Sequence, residues 1–169
     1  RADYTHAIEH GVAGLKLLGV NLSPPYGPKI GTGLLGAQMR LIGKPRDDFS
    51  HLDRMDDPAR EQIMQMLLIV STPAFLENKD LFVLVSLRMF ALTQRYGLTH
   101  AGAASIGYYG LVNYIAFGAV DRVLRIMKNL FELFEKFGIS DQVRGRLNYT
   151  YCMIVGWYRD PYARLLTRL

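Results

Sequence analysis

The run from Tyr96 to Val120, YGLTHAGAASIGYYGLVNYIAFGAV, contains no Asp, Glu, Lys or Arg, and a charged segment of helical pattern flanks it on each side. Roughly 20 consecutive uncharged residues is the length of a membrane span. Two features point to a different place for it. Gly97 and Gly118 punctuate the run, which leaves Thr99 to Phe117 for the helix itself. That helix is made of Ala, Gly, Ser and Tyr with His100 and Asn113, a content too polar for hydrocarbon. A helix of small residues with apolar character all round is one that other helices surround. The run therefore predicts the buried inner helix of a stacked helical array, with no membrane span.

The chain has 169 residues and a formal net charge of +5, and half of it is hydrophobic. That length suits one domain over residues 1–169, burying roughly 70% of its unfolded surface. A single cysteine, Cys152, excludes an intramolecular disulfide and fits a reducing, cytoplasmic setting. Arg1 is not an initiator Met, and no basic stretch leads into an apolar signal-peptide core. The pattern begins inside one helix and ends inside another, Tyr162 to Leu169, so a fragment of a longer chain is expected.

A sequence pI near 9.4 invites nucleic acid as a partner, but the charge is scattered. Arg46, Arg54 and Arg60 stand among Asp47, Asp48, Asp53, Asp56, Asp57 and Glu61. Phosphate tracking needs a basic face with little acid mixed in. No nucleic-acid partner is expected.

Taken in order, Asp3 to Leu18 shows helical spacing, and its patch of Gly11, Ala13 and Gly14 would let a neighbouring helix approach closely. His6 and His10 stand at i,i+4, a chelating spacing, but no third ligand accompanies them and no metal site is expected. Asn21 to Gly33 reads as a Pro- and Gly-rich loop, followed by a short helix from Leu34 to Ile42. Gly31-Thr32-Gly33-Leu34-Leu35-Gly36 matches G-x-G-x-x-G, yet no strand delivers it to a helix, so a dinucleotide site is not expected.

Asp57-Pro58 is a helix start, with Asp as the cap and Pro at the first helical position. Pro73 is expected to interrupt or end that helix. Asn78 caps the next, Lys79 to Tyr96, which Gly97 closes. Val120 to Phe137 is amphipathic, with Val123, Met127, Leu130 and Phe134 on its apolar stripe and Gly138 at its end. Asp141 caps a last long helix carrying Cys152 and Trp157, which Pro161 breaks. About seven helices result, with no credible strand. Short connections force consecutive helices antiparallel.

Residues that would carry catalysis do not assemble in this pattern. There is no G-x-x-x-x-G-K loop, Cys152 has no basic neighbour in sequence, and Asp47-Asp48 and Asp56-Asp57 occupy connector and cap positions. No catalytic residue and no cofactor is expected.

Helix pairs of about 34 residues with small residues at set offsets resemble tetratricopeptide repeats. Asp3-Tyr4 with Ala7 looks like the start of a repeat's second helix, and Tyr114 and Gly118 match its aromatic and turn-glycine positions. Val123 stands where a small residue is expected and Ala119-Val120 replaces Asp-Tyr, so the repeats are degenerate. Over most of Asp3 to Pro161 the chain also resembles a helical region of large bacterial signalling proteins. These join a serine/threonine-kinase-like module, an AAA/STAND-type ATPase and often GAF and histidine-kinase modules. The segments carrying this resemblance are Ser71-Thr72-Pro73-Ala74, Leu81 to Gly97, and Tyr108-Tyr109-Gly110-Leu111.

The resemblance implies an all-α, degenerate, TPR-like right-handed superhelix that docks a partner protein or a neighbouring domain. Tyr108, Tyr109, Asn113 and Tyr114, with Arg88 and Arg95 nearby in sequence, are the expected partner-binding residues, since Tyr and Arg are frequent hot-spot types. The alternative is a small-molecule sensor holding its ligand around His100, Ser105 and Tyr109. The oligomeric state is not legible.

Overall fold

A computed structural model of the chain describes residues 3–42, 48–138 and 140–151. Among these the fold is all-α, with seven helices: α1 (Tyr4–Leu17), α2 (Tyr26–Arg40), α3 (Pro58–Glu77), α4 (Lys79–Tyr96), α5 (His100–Phe117), α6 (Val120–Phe137) and α7 (Asp141–Tyr151). Cys152, Trp157, Pro161 and the segment Tyr162 to Leu169 lie outside the described residues. No described helix is long and apolar enough to cross a membrane.

Local chemistry sets most of the boundaries. Side chains of Asp3, Asp57, Asn78 and Thr99 each accept a backbone N–H from the first turn of the helix they precede. Gly118 and Gly138 end α5 and α6 in the left-handed conformation, each with φ of 62°. Asp141 is the first residue of α7 rather than its cap.

Two expectations need correction. The stretch from Tyr26 to Gly33 is helical, so α2 starts well before Leu34. Pro28 falls in the first turn, where a missing N–H costs nothing. Gly33 then packs on α4, where a Cβ would come within 3.2 Å of the Leu87 side chain. Close packing outweighs the low helix propensity of glycine. Pro73 also fails to end α3, which runs on to Glu77. Burial of Val70, Pro73 and Ala74 holds the helix across the lost hydrogen bond.

The helices form two layers. In one, α1 packs on α3, α3 touches α5, and α5 touches α7. In the other, α2 packs on α4. The consecutive helices α3, α4, α5 and α6 pack side by side, and with connections as short as the lone Asn78 the chain must reverse at each. Gly11 and Gly14, but not the exposed Ala13, supply the close approach of α1 to α3, against Val70 and Met66.

α5 is the interior pillar. Every residue from Ala101 to Asn113 is buried, and α3, α4, α6 and α7 all pack against it. Its small residues make this possible: a Cβ on Gly107 would run into Leu147 of α7, and one on Gly110 would meet Val123 and Ile126 of α6 at 3.6 Å.

Residues 48–57 strap the far end of the pillar. Phe49 packs edge-on against Phe90 of α4, and Leu52 and Met55 are buried. Leu98 N–H donates to the Asp53 carbonyl at 2.7 Å and Met55 N–H to the Leu98 carbonyl at 2.9 Å. Gly97 turns the chain beneath this strap with φ of 105°, and a Cβ there would lie 2.6 Å from the Asp53 carbonyl oxygen. Only glycine fits.

Candidate partner-docking groove

Continuation of α3 beyond Pro73 has a consequence on the surface. It carries Phe75 and Leu76, both exposed, to the rim of a groove of about 500 Å³. α4 adds Phe82, α5 adds Tyr108 and Leu111, and α7 adds Arg146 and the exposed Tyr149. The groove thus crosses the layer of α3, α5 and α7, with the pillar as its floor. Its aromatic rings brace one another: Phe75 meets Phe82 at 5.2 Å between centroids, and Phe82 meets Tyr108 at 5.3 Å, both edge-on.

Ser71, Thr72 and Arg146 at the groove are held by hydrogen bonds. Arg146 donates to Thr72 Oγ1 at 3.3 Å, bridging α7 and α3 across one end. Ser71 donates to the Leu68 carbonyl at 2.6 Å and so presents no free hydroxyl proton. The lining is mainly apolar, open to solvent on one side, and suited to burying apolar side chains.

Of the six residues expected to bind a partner, only Tyr108 lines this groove. Tyr109 is fully buried, its ring stacked on Phe90. Asn113 is also buried: it donates to the Tyr109 carbonyl at 2.7 Å and accepts from Arg122 at 3.0 Å. The pillar is covered on those sides, so these two are core residues and not an exposed edge. Tyr114 is half-buried. Arg95 is exposed, with its guanidinium 5.1 Å from the centroid of the Tyr96 ring. Arg88 is exposed at a separate seam between α2 and α4.

The three residues expected around a small ligand are likewise dispersed. His100 lines a polar cleft of about 280 Å³ with Arg54, Glu61 and Phe137, and neither Ser105 nor Tyr109 reaches it. Nδ1 of His100 accepts the Ser140 N–H at 3.1 Å, which puts the proton of the neutral ring on Nε2. Ser105 donates to the Gly102 carbonyl and accepts from Thr93, a hydrogen bond that ties α5 to α4.

The carboxylates with altered acidity lie away from the groove. Backbone N–H groups of His6, Ser50 and Arg60 hold Asp3, Asp48 and Asp57, respectively, below the usual carboxylate range. All three are cap or turn residues. Among the described residues no three His, Cys, Asp or Glu side chains gather to hold a metal. His6 is engaged by Asp3 at the start of α1.

Sequence reasoning missed Phe75, Leu76 and Tyr149. The signal for the first two was available only by letting the helix pass through Pro73. Tyr149 belongs to α7, whose packing face is set by Gly107 on a helix some forty positions away. No family model matches the chain, and neither a curated protein nor a solved structure matches it.

Proposed function

We propose that this chain is a non-catalytic interaction and regulatory module, a degenerate TPR-like right-handed superhelix belonging to a bacterial signal-transduction kinase. It holds an apolar segment of a partner protein, or of a neighbouring domain of the same chain, in the groove across α3, α5 and α7. The observation that carries this reading is the groove itself, where exposed Phe75, Leu76 and Tyr149 surround a floor that includes the buried Tyr108, and nothing in the described chain covers them. Contiguous exposed apolar surface of this kind marks interaction sites. Helical solenoids present their binding face along one layer of helices, and three helices of one layer, α3, α5 and α7, line this groove. The lone cysteine suits a cytoplasmic place for such a module.

The test is site-specific photo-crosslinking in the cells that make the protein. A benzophenone side chain at Leu76 should give one discrete crosslinked product, and the same probe at the exposed Ile115 should not. Adding Phe75→Ser should abolish the product at Leu76. Equal crosslinking from both positions would contradict the docking role.

The groove volume also falls in the range of small-ligand sites, roughly 300–1,000 Å³. That observation favours a second reading, a sensor whose ligand rests on Tyr108. Native mass spectrometry separates the two, because a sensor purified with its ligand shows a bound mass that Phe75→Ser removes.

A further inference from the structure

The glycines of the G-x-G-x-x-G match serve a different surface. Gly33 brings α2 against Leu87 of α4, and a Cβ on Gly36 would lie 3.2 Å from Nη1 of Arg40. Bare backbone at Gly36 thus seats the Arg40 guanidinium along a seam of about 140 Å³ between the two helices. Lys29 and Arg88 line the same seam, so among the described residues three cations and no acidic side chain face it. α2 itself contains no Asp or Glu. Lys29 is held in place by the Ser23 carbonyl at 2.6 Å, whereas Arg40 and Arg88 extend to solvent.

Beside the seam, α2 turns an uncharged apolar face outward. Leu35 and Met39 of α2, with Ile42 in the turn that follows it, are 63%, 60% and 69% exposed. Pro28, Gly31 and Thr32 continue that face without a charge. A basic seam flanking an apolar stripe is complementary to a helix with the opposite arrangement.

We infer that the α2 face docks an acidic amphipathic helix, with its carboxylates in the Lys29–Arg40–Arg88 seam and its apolar side chains on Leu35, Met39 and Ile42. Arginine forks match carboxylates two hydrogen bonds at a time. A second copy of this chain through the same face is disfavoured, because the two seams would oppose cation to cation. An anionic bilayer fits less well than a helix, because the seam is a recess between two helices that individual side chains can enter. This surface is distinct from the α3–α5–α7 groove and does not depend on it.

The test is selection of displayed random peptides of about 16 residues, roughly 24 Å as a helix, against the whole chain. Enriched peptides should carry two or more Asp or Glu at i,i+3 or i,i+4 beside an apolar stripe. Their affinity should fall about tenfold for R40Q/R88Q, the loss expected for two charge-assisted contacts. It should fall similarly for L35S/M39S and stay unchanged for F75S, which reports the groove instead. The four substituted positions, Leu35, Met39, Arg40 and Arg88, are exposed, so circular dichroism should show the wild-type helix content in both double variants. The inference is overturned if the selected peptides lack acids, or if R40Q/R88Q binds them as tightly as wild type. It is also overturned if no peptide is enriched while vesicles of phosphatidylserine and phosphatidylcholine bind.

Discussion

The rings of Phe90 and Tyr109 lie parallel within 7°, their centroids 3.9 Å apart, at the contact of α4 with α5. Tyr109 is fully buried, and its hydroxyl accepts from Arg122 of α6 at 3.3 Å. One side chain therefore joins three helices, through stacking on one side and a hydrogen bond on another. Tyr109→Ala should lower stability by about 3–5 kcal/mol, the range for deleting a buried aromatic ring. Tyr109→Phe should cost only about 1 kcal/mol, because it keeps the stack and loses the bond to Arg122. Urea denaturation of both variants checks the ranking, and equal losses would show that the stack contributes little.

Gly97→Ala tests the strap. The alanine would have to hold φ near 105° with its Cβ beside the Asp53 carbonyl. The cost should be about 2 kcal/mol or more, from strain and contact together. A thermal midpoint unchanged from wild type would mean that residues 48–57 do not bind the α4–α5 turn as described.

Pro73→Ala should stabilise the protein. Proline in a helix interior is about 3 kcal/mol worse than alanine. Loss of its two buried ring methylenes offsets about 1.5 kcal/mol of that. A net gain of about 1–2 kcal/mol in chemical denaturation is expected, whereas a loss would show that the ring fills a site no relaxation of α3 can close.

The acid dependence of α3 follows from Asp57. The Arg60 backbone N–H, then the Arg60 side chain, hold its carboxyl below the ordinary value of 3.8. A depressed carboxylate contributes stability that is fully present above that ordinary value and is lost as pH falls through the folded value. Amide protection at Ala59 and Arg60 should therefore weaken only as pH drops below about 3.8, as followed by NMR. Asp57→Asn should remove that dependence. Persistence of the same acid transition in Asp57→Asn would assign it to another group.

Much of this architecture was legible because it rests on short-range chemistry. The caps at Asp57 and Asn78 and the closing glycines at 97, 118 and 138 are local, and α4 and α6 begin and end where the pattern places them. The charge-free run marked the pillar, since a helix buried on several sides has no polar face to display. α2 and the end of α3 were illegible for the opposite reason. Their helicity depends on what packs against Gly33 and Pro73, and propensity argues against both. The groove was hidden with them. Tyr109 and Asn113 carry the residue types of a binding edge, and only the positions of α4 and α6 show that they are enclosed.

Amide hydrogen exchange of the native protein tests the enclosed pillar most directly. If α5 is enclosed by α3, α4, α6 and α7, the amides of residues 104–113 should exchange last, at the rate set by global unfolding. Exchange of those amides ahead of the amphipathic α6 would contradict the account, because an enclosed helix opens only when its neighbours do.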